Sequence, residues 1–354
     1  MDSNQRRLEV DGILGEYLRS GHADLPFEDL ELAGRGEFSE VYKARCKDKG
    51  VPVALKFLKI GLQDAYRLFA FDREVEIHKH LIGNSRVLAL LSGQRVLEVP
   101  IAVAGTQRGM VLEAKYFGVD WYPHTVLRLL SRRERPFSEM LRLFHDVVLG
   151  VKQMHEAGVC HRDLKPDNLL VSEDGSRAVV GDLGTASRGS DGDSFPGADA
   201  YKWFWQGATH YVAPERFAGA GSFGDCITAD VYSLGCVLFE VATGLILYDQ
   251  IEDAIAYLVD INAKLRAMPG EAAIRLAEAS LRHVEASFAL PRIAMHSGLP
   301  GPETRNFVED LYHRLCRFRP VDRLRDLDQL LNLVRVAISI AEKEEERRGR
   351  AIHV

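Results

Sequence analysis

The chain has 354 residues, which allows one large or two medium domains at roughly 100–200 residues each. Hydrophobic residues make up 46% and charged residues 27% of the chain, so it can bury a core and is not a disordered protein. The 45 basic residues are outnumbered by 51 acidic ones, and the formal charge of −6 disfavours general nucleic-acid binding.

The five cysteines lie far apart and include no CxxC pair. This pattern suits a reducing compartment and argues against a structural zinc site. The N-terminal sequence has no apolar core of a secretory signal. No apolar run reaches the length of about 18 residues that is needed to cross a bilayer. The best candidate for a membrane span, 330–341, is interrupted by Asn332 and Arg335. We expect an intracellular protein with no transmembrane segment, in the cytoplasm or the nucleus.

The N-terminal segment 1–27 predicts a short helical extension. Apolar residues recur in it at helical spacing, namely Ile13, Leu14, Tyr17 and Leu18. We interpret this helix as docked on the domain that follows it. The alternative is a segment that binds a regulatory partner.

Between residues 28 and 115 the pattern is mostly that of short strands. β-rich runs separated by Gly and polar turns occur at 30–32, 41–44, 51–56, 96–103 and 110–112. One helical stretch, 65–82, interrupts them. The order predicts a small lobe with a five-stranded antiparallel sheet and one main helix.

Residues 116–340 predict a larger, mostly helical lobe. Helical patterns occur at 125–131, 138–156, 229–243, 253–266, 272–284, 303–316 and 326–346. Within this lobe, residues 244–304 form an extended region, for which a substrate dock and an elaborated surface are both open. Residues 341–354 are a charged tail, interpreted as a solvated helix end with a Glu344–Arg348 pair.

The first candidate functional residues are two glycines at the tip of a predicted hairpin, Gly34 and Gly36. Without a Cβ, such a tip brings backbone N–H groups close to phosphate oxygens. Ser39 stands where a GxGxxG pattern has its third glycine, and no helix follows the loop as it does in a dinucleotide-binding turn. A phosphate-binding hairpin and an ordinary turn are both open at this point.

Lys56 ends an apolar strand, where its charge needs a partner. Nucleotide phosphates and a carboxylate from the following helix are the two candidates. Glu74 is the natural carboxylate, because its helical neighbours Ile77 and Leu81 would face the sheet and turn it toward the strand. Glu76 points elsewhere on the helix and ranks second.

The most informative stretch is 161–168, His-Arg-Asp-Leu-Lys-Pro-Asp-Asn. Asp163 and Asn168 lie in one loop, so that one can receive a proton while the other coordinates a metal. Lys165 places a point charge between them, which suits a migrating phosphoryl group. Asp182 follows the apolar run 178–180, where a carboxylate is well placed to hold a divalent cation together with nucleotide phosphates.

The order and spacing of these segments resemble those of eukaryotic-type protein kinases. Ala-Pro-Glu at 213–215, the apolar helix that Asp230 opens and Arg323 before the last helix extend the resemblance over residues 32–323. It implies an α+β, bilobal kinase fold. It also implies an enzyme that transfers the γ-phosphate of ATP to a hydroxyl with Mg²⁺, or with Mn²⁺ in its place.

By this resemblance each matched residue has an expected role. Asp163 accepts or orients the substrate hydroxyl, Lys165 balances the γ-phosphate, and Asn168 and Asp182 bind the metal ion. Glu215 pairs with Arg323 to brace the large lobe, and Asp230 is a helix-capping residue that supports the catalytic loop. The residues expected to bind ATP are Ala33, Gly34, Arg35, Gly36, Glu37, Phe38, Ser39, Glu40, Val41, Lys56 with its partner Glu74, Leu112 at the back of the adenine pocket, and the hinge from Glu113 to Lys115.

The substrate expected from the resemblance is a protein with Ser or Thr acceptors, because Lys165 after Arg-Asp-Leu resembles the Ser/Thr kinases. The chain is also expected to phosphorylate itself. Candidate phosphorylation sites in 182–215 are Ser187, Ser190, Ser194 and Tyr201, and Arg162 could pair with such a phosphate. A loop that needs no modification is equally open.

Two departures from the family pattern stand out. Leu183 replaces the usual Phe after the metal-binding aspartate, and Ala208 replaces a threonine ahead of Ala-Pro-Glu, with Thr209 as a substitute shifted along the chain. Two other functions remain open beside a protein kinase. One is a pseudokinase scaffold that binds ATP without turnover, and the other is a small-molecule kinase of the aminoglycoside or choline type.

Overall fold

The structure is a computed structural model that describes residues 12–21, 23–36, 38–60, 65–102, 109–132, 135–189, 209–217, 223–265, 268, 270–294 and 299–352. The chain forms two compact units. The smaller unit contains residues 1–83 and 88–122, and the larger one contains residues 84–87 and 123–354. Each has the secondary structure expected of it, and the fold class is α+β as predicted.

The smaller unit is built on one antiparallel sheet of five strands in the order β1-β2-β3-β5-β4. The strands are β1 (Phe27–Arg35), β2 (Ser39–Cys46), β3 (Pro52–Leu58), β4 (Leu90–Ala102) and β5 (Gly109–Asp120). The side chains of β3 are buried on both faces, which is why this strand is almost continuously apolar.

Two helices cover opposite faces of this sheet. Helix α1 (12–19) places Leu14 and Leu18 in a buried cluster with strand residues such as Leu55. Helix α2 (Ala65–His80) packs on the other face, where the ring of its Phe71 lies 5.1 Å from that of Phe117. Helix α1 is therefore docked on the unit that follows it, as the sequence pattern predicts.

The smaller unit extends further along the chain than the predicted boundary at residue 115. Strand β5 runs without interruption to Asp120, and the unit ends at Tyr122. Glu113 and Lys115 lie in the middle of this strand, opposite Glu98 and Val96 of β4. The predicted hinge at 113–115 is therefore wrong, because these residues form ladder hydrogen bonds with β4 rather than leaving the sheet.

The larger unit is mostly helical. Its helices are α3 (Val126–Arg132), α4 (Phe137–Glu156), α5 (Pro214–Phe217), α6 (Phe223–Thr243), α7 (Glu252–Leu265), α8 (Gly270–Ser287), α9 (Pro302–Leu315) and α10 (Leu327–Ile352). Its short strands are β6 (His124–Thr125), β7 (Val159–Cys160), β8 (Leu169–Val171), β9 (Ala178–Val180) and β10 (Ser187–Arg188). Helix α4 is followed, two residues after its end, by Gly158, whose φ of 71° favours glycine and turns the chain toward the loop of Asp163.

The extended region 244–304 contains α7 and α8. These helices pack against each other through Ile261, Leu265 and Ala277, which form a small buried cluster of their own. The packing explains the helical pattern of this region. Whether the region docks substrates stays a prediction.

The segment 341–354 is not a separate tail, since α10 continues through it to Ile352. Glu344 is 5% exposed, and its carboxylate accepts hydrogen bonds from the backbone N–H groups of Glu303 and Thr304, at 3.0 and 3.1 Å. It therefore caps α9, where the positive end of the helix dipole favours an anion. The predicted pair with Arg348 is replaced by this cap.

The cap predicts a pH-dependent contribution to stability. Burial opposes ionisation of Glu344, but the hydrogen bonds from Thr304 and Glu303 outweigh it and hold its pKa below the ordinary value. We expect Glu344→Ala to cost about 1–3 kcal/mol, because buried N–H groups lose their acceptor. The contribution is complete above the unfolded glutamate pKa of about 4.3 and is lost as the pH falls through the folded-state value.

Thermal unfolding of both proteins across the acid range checks this prediction. Glu346→Ala is the matched control, since Glu346 is exposed on the same helix and its loss should change stability by about 0.5 kcal/mol or less. Equal effects of the two substitutions at neutral pH would contradict the capping role of Glu344.

One segment in the described part of the chain, Cys226–Thr243, is long and apolar enough to cross a membrane. It differs from the predicted candidate 330–341, and 83% of it is buried inside the protein. It also carries Asp230 and Glu240, which are both buried. The core helix of a globular domain has the same length and composition, so the segment is only a weak indication of a membrane span.

Candidate active site

The smaller unit contains the predicted lysine–glutamate pair. Lys56 on β3 places its Nζ atom 2.7 and 3.0 Å from the two carboxylate oxygens of Glu74 on α2. Glu74 is 3% exposed, so its charge has little water around it and needs the ammonium group. Glu76 is exposed and pairs with Lys79 instead, which agrees with its lower rank in the sequence prediction.

The hairpin between β1 and β2 carries the predicted phosphate-binding residues. Gly34 lies opposite Val41, Arg35 lies opposite Glu40, and the N–H of Gly36 donates to the carbonyl of Ser39 at 2.8 Å. A Cβ built on Gly34 would meet no atom within 4 Å, and one on Gly36 would meet only Ser39, at ordinary contact distance. Close packing against the described residues therefore does not require glycine at either position.

The other ATP-binding residues predicted in this unit are placed differently. Lys115 donates to both carboxylate oxygens of Asp72 at 2.9 and 3.1 Å, so it ties β5 to α2. Leu112 is partly buried and packs on the cluster beneath α1, on the opposite face of the sheet from α2. Leu112 and Lys115 therefore have structural contacts of their own. Glu37 lies outside the described residues.

The larger unit places the predicted catalytic residues around one carboxylate. Oδ2 of Asp163 accepts hydrogen bonds from Nζ of Lys165 at 2.9 Å and from Nδ2 of Asn168 at 3.0 Å. The same Nδ2 donates to the carbonyl of Asp163 at 2.8 Å. The Asp163 side chain is 9% exposed, so its position is fixed by these donors rather than by water.

The loop 161–168 is anchored by a buried aspartate below it. The carboxylate of Asp230 accepts the N–H groups of His161 and Arg162 at 2.8 and 2.9 Å and lies 2.9 Å from Nε2 of His155. Burial opposes ionisation, but the bond from His155 and the backbone donors outweigh it and lower the pKa of Asp230. Asp230 lies inside α6, which begins at Phe223, so it supports the loop as predicted but does not cap a helix.

His161 connects the catalytic loop to the next strand. Its Nε2 lies 2.9 Å from the carbonyl of Gly181 and so carries the proton, which leaves Nδ1 to accept the N–H of Asp163 at 3.2 Å. The hydroxyl of Thr185 donates to the carbonyl of His161 at 3.1 Å. These bonds hold Asp163 in register with the strand that leads to Asp182.

The two predicted metal ligands meet at the end of a small hairpin. Leu169 pairs with Val180, so Asn168 before β8 lies beside the residues that follow β9, and the N–H of Gly181 donates to the carbonyl of Asn168 at 2.9 Å. Asp182 is exposed and has a φ of 53°, a left-handed conformation that is rare outside glycine and concentrates at functional sites. Asn168 is buried.

A second buried aspartate, Asp146 on α4, positions this hairpin and was not predicted. Its carboxylate accepts the N–H of Ala178 at 3.1 Å and lies 2.7 Å from Nε of Arg86. Gly150, one helical turn further, lets the backbone of Arg86 approach, because a Cβ there would lie 2.5 Å from the Arg86 carbonyl. In the sequence, the feature that could have indicated this role is an acidic residue on the apolar face of the predicted helix 138–156.

The predicted brace between Glu215 and Arg323 is present. The guanidinium donates to both carboxylate oxygens of Glu215, at 2.5 and 2.6 Å, and to three backbone carbonyls. Its side chain is fully buried, and it lies 4.9 Å from the centre of the Tyr232 ring. Burial opposes the charge of Arg323, but Glu215 outweighs it and raises its pKa.

One group of side chains has the composition of a cation site but is engaged otherwise. His155, Cys160 and Asp230 place their ligand atoms within 4.8 Å of one another. The oxygens of Asp230 already accept bonds from His155 and the catalytic loop, as described above. A hydrogen bond with Cys226, and then burial, raise the pKa of Cys160, and a protonated thiol is a poor metal ligand. We therefore assign this group to support of the loop.

The remaining predicted residues are only partly described. Leu183 is fully buried, and Ser187 lies in β10, where it pairs with Cys160 of β7. Residues outside the described part of the chain are Ser190, Ser194, Tyr201 and Ala208, together with the side chain of Thr209.

A family model for the protein kinase domain matches residues 27–332. A probable serine/threonine-protein kinase of Clostridium perfringens is 26% identical over 329 residues, which cover 90% of this chain and 40% of that protein. Serine/threonine-protein kinase PLK4 of Nematostella vectensis is 31% identical over 230 residues, 62% of this chain and 20% of that protein.

A third relative is a probable serine/threonine-protein kinase of Arabidopsis thaliana, 30% identical over 224 residues, which cover 62% of this chain and 28% of that protein. The chain thus spans less than half the length of each of these relatives. The family match covers most of the chain and includes the pair in the smaller unit and the loops of Asp163 and Asp182. This chain belongs to the protein kinase family.

Proposed function

We propose that the protein transfers the γ-phosphate of ATP to Ser or Thr hydroxyls of protein substrates in a Mg²⁺-dependent reaction. The observation that carries the proposal is the arrangement of Lys165 and Asn168 around Oδ2 of Asp163. The Lys56–Glu74 pair in the other unit supports it.

The residues Asn168 and Asp182 fit a magnesium ion. Mg²⁺ prefers oxygen ligands, and Asp182 offers an exposed carboxylate. Nδ2 of Asn168 is engaged with Asp163, which directs its amide oxygen away as the ligand atom. The bound ion would neutralise charge on the phosphates of ATP.

The protein's own residues then provide positioning and charge. Asp163 accepts or orients the proton of the acceptor hydroxyl, and its oxygen is held in place by Asn168 and Lys165. Lys165 and Lys56 stabilise negative charge on the phosphates, at the γ- and α/β-positions respectively. Little covalent chemistry is required of the chain, so most of the catalytic effect comes from alignment.

The adenine-contacting segment is proposed to follow β5 rather than to lie within it. Strand β5 ends at Asp120 and the smaller unit ends at Tyr122, so residues 121–123 leave the sheet. This replaces the hinge predicted at 113–115. The backbone of such a segment has N–H and carbonyl groups to offer a base, whereas those of Glu113 and Lys115 lie within the β4–β5 pairing.

Ser/Thr specificity is proposed from Lys165 after Arg-Asp-Leu and from the names of the three relatives. Self-phosphorylation is part of the proposal, with Ser187 as the candidate site in the described part of the chain. We also propose an intracellular location, because all five thiols are free and reducing compartments keep them so.

The experiment is transfer of label from [γ-³²P]ATP with Mg²⁺ to a generic basic protein and to the chain itself. We expect phosphoserine and phosphothreonine after hydrolysis of the labelled protein, and no label with excess EDTA. Bound ATP without transfer would indicate a pseudokinase scaffold. Label on an aminoglycoside or choline but on no protein would indicate a small-molecule kinase.

A further inference from the structure

The phosphate-binding hairpin is held from behind by a buried carboxylate on β2. Glu40 is 3% exposed, although glutamate is almost never this buried unless it is paired. Its Oε1 lies 3.2 Å from Nε of Arg35 in the hairpin, and its Oε2 accepts the hydroxyl of Tyr42 at 2.8 Å. Among the described residues each oxygen of Glu40 thus has a partner, and one of these partners, Arg35, belongs to the hairpin.

Tyr42 transmits the contact to helix α1. It is 3% exposed and lies in the cluster that contains Leu14 and Leu18 of α1. A Cβ on Gly15 would lie 3.2 Å from the Tyr42 hydroxyl oxygen, which is closer than ordinary contact. Glycine at this position therefore lets α1 lie directly on the hydroxyl that binds Glu40.

Burial beneath α1 strengthens both bonds of Glu40. Burial and the contact with Glu40 raise the pKa of Tyr42, so the phenol remains the donor. A hydrogen bond to a carboxylate is stronger where water is excluded, and an ion pair in full solvent has little effect on structure. The Arg35 side chain is 58% exposed, whereas that of Glu40 is buried. Glu40 is therefore the partner that holds the ion pair in place.

We propose that α1 is a positioning element of the nucleotide site, which keeps Tyr42 and Glu40 dry and thereby holds Arg35 and the hairpin over the phosphates of ATP. The inference rests on the proposed function. It concerns residues 12–19, which precede the family match at 27–332, so the family relation does not supply it. Glu40, Tyr42 and Gly15 are positioning residues here.

The test compares Tyr42→Phe and Gly15→Leu with the wild type. The first removes the hydroxyl, and the second pushes α1 away from it. The matched control is Gly12→Leu, on the same helix, because a Cβ at Gly12 meets nothing within 4 Å. Calorimetry gives the Kd for Mg-ATP and, separately, for adenosine.

We expect both substitutions to weaken the binding of Mg-ATP about three- to tenfold, the range for the net contribution of one ordinary hydrogen bond. The double variant should be no weaker than the weaker single variant, because both act through the same bond. Adenosine has no phosphates, so its Kd should not change. Gly12→Leu should match the wild type for both ligands.

Two results would overturn the inference. One is an unchanged Kd for Mg-ATP in both variants, and the other is an equal weakening of ATP and adenosine, which would indicate general damage to the smaller unit. Amide hydrogen exchange of residues 34–41 without nucleotide tests it separately, since both variants should exchange faster there than Gly12→Leu. If the wild type binds no Mg-ATP but both variants still exchange faster than Gly12→Leu, the proposed function is rejected. The role of α1 in holding the hairpin then stands.

Discussion

Asp163→Asn should lower kcat for phosphoryl transfer by about 10²–10⁴, the usual contribution of a positioned acid or base. Asparagine has the same shape but cannot take a proton from the acceptor hydroxyl. Lys165 and Asn168 both donate to the single oxygen Oδ2, so the amide oxygen of asparagine, which has two lone pairs, can take its place and accept from both. Because Asp163 is not proposed to hold the phosphates, the Kd for Mg-ATP should change little. Steady-state kinetics and calorimetry on the same preparation check both expectations.

Glu173→Gln is the matched control for this experiment. It removes an acidic charge from an exposed position in the same unit, and its kcat should equal that of the wild type. Equal labelling by wild type and Asp163→Asn would reject the role of Asp163. Loss of activity together with a lowered unfolding temperature would instead indicate that the substitution disturbs the loop.

Arg323→Met should destabilise the larger unit by about 3–5 kcal/mol, as expected when one partner of a buried ion pair is removed. The substitution leaves the carboxylate of Glu215, which is 3% exposed, without its cation. It also removes the hydrogen bonds that Arg323 donates to three backbone carbonyls. For a unit of this size the unfolding midpoint should fall by roughly 6–20 °C. Differential scanning calorimetry, which can separate the two units, is the measurement.

The single variant could be unstable because the attraction between the two charges is lost or because the Glu215 carboxylate stays buried without a cation. The double variant Glu215→Leu/Arg323→Met distinguishes these two causes. Replacing both partners by apolar residues is often close to neutral, so the double variant should unfold at a higher temperature than Arg323→Met alone. Arg325→Met is the control, because the exposed Arg325 donates, within the described part of the chain, only to the carbonyl of Pro320. A double variant that is less stable than the single one would contradict this account of the pair.

Most of the secondary structure follows from periodicity along the chain. The sequence predicts helix 138–156 and the structure has Phe137–Glu156. The agreement is close because a long apolar face gives the extent of the helix and a glycine marks its C-terminal end. Helix α6 begins at Phe223 rather than at 229, since its first turns carry little apolar periodicity. The pair Lys56–Glu74 was also predictable, because a buried lysine requires a partner and the helix phase selects Glu74.

The errors arise where a tertiary contact replaces a local signal. The interior of β5 contains Glu113, Lys115 and Gly118, which are poor strand residues, so the sequence pattern predicts a strand only over 110–112, and the family resemblance then places the hinge at 113–115. In the structure this stretch pairs continuously with β4, and Lys115 has a charge partner in Asp72 on α2. Likewise, the charged run after residue 341 gives no sign that Glu344 reaches the start of α9.

Residues that act through backbone atoms were the hardest to predict. Asp146 accepts an N–H from the far end of a hairpin, and Asp230 accepts two from the catalytic loop. Their partners carry no side-chain signature, so sequence spacing cannot reveal the contacts. For Asp230 only the family resemblance supplied the role. For Asp146 the sole signal was its charge on an apolar helix face.

Calorimetric titration of the folded wild type with ATP, with and without Mg²⁺, tests the central claim most directly. The claim is that this chain holds a nucleotide triphosphate through Lys56 and through a magnesium ion at Asn168 and Asp182. It predicts saturable binding that weakens when Mg²⁺ is removed, and a similar weakening in Asp182→Asn even when Mg²⁺ is present. Absence of any ATP binding by protein with an intact unfolding transition would contradict it.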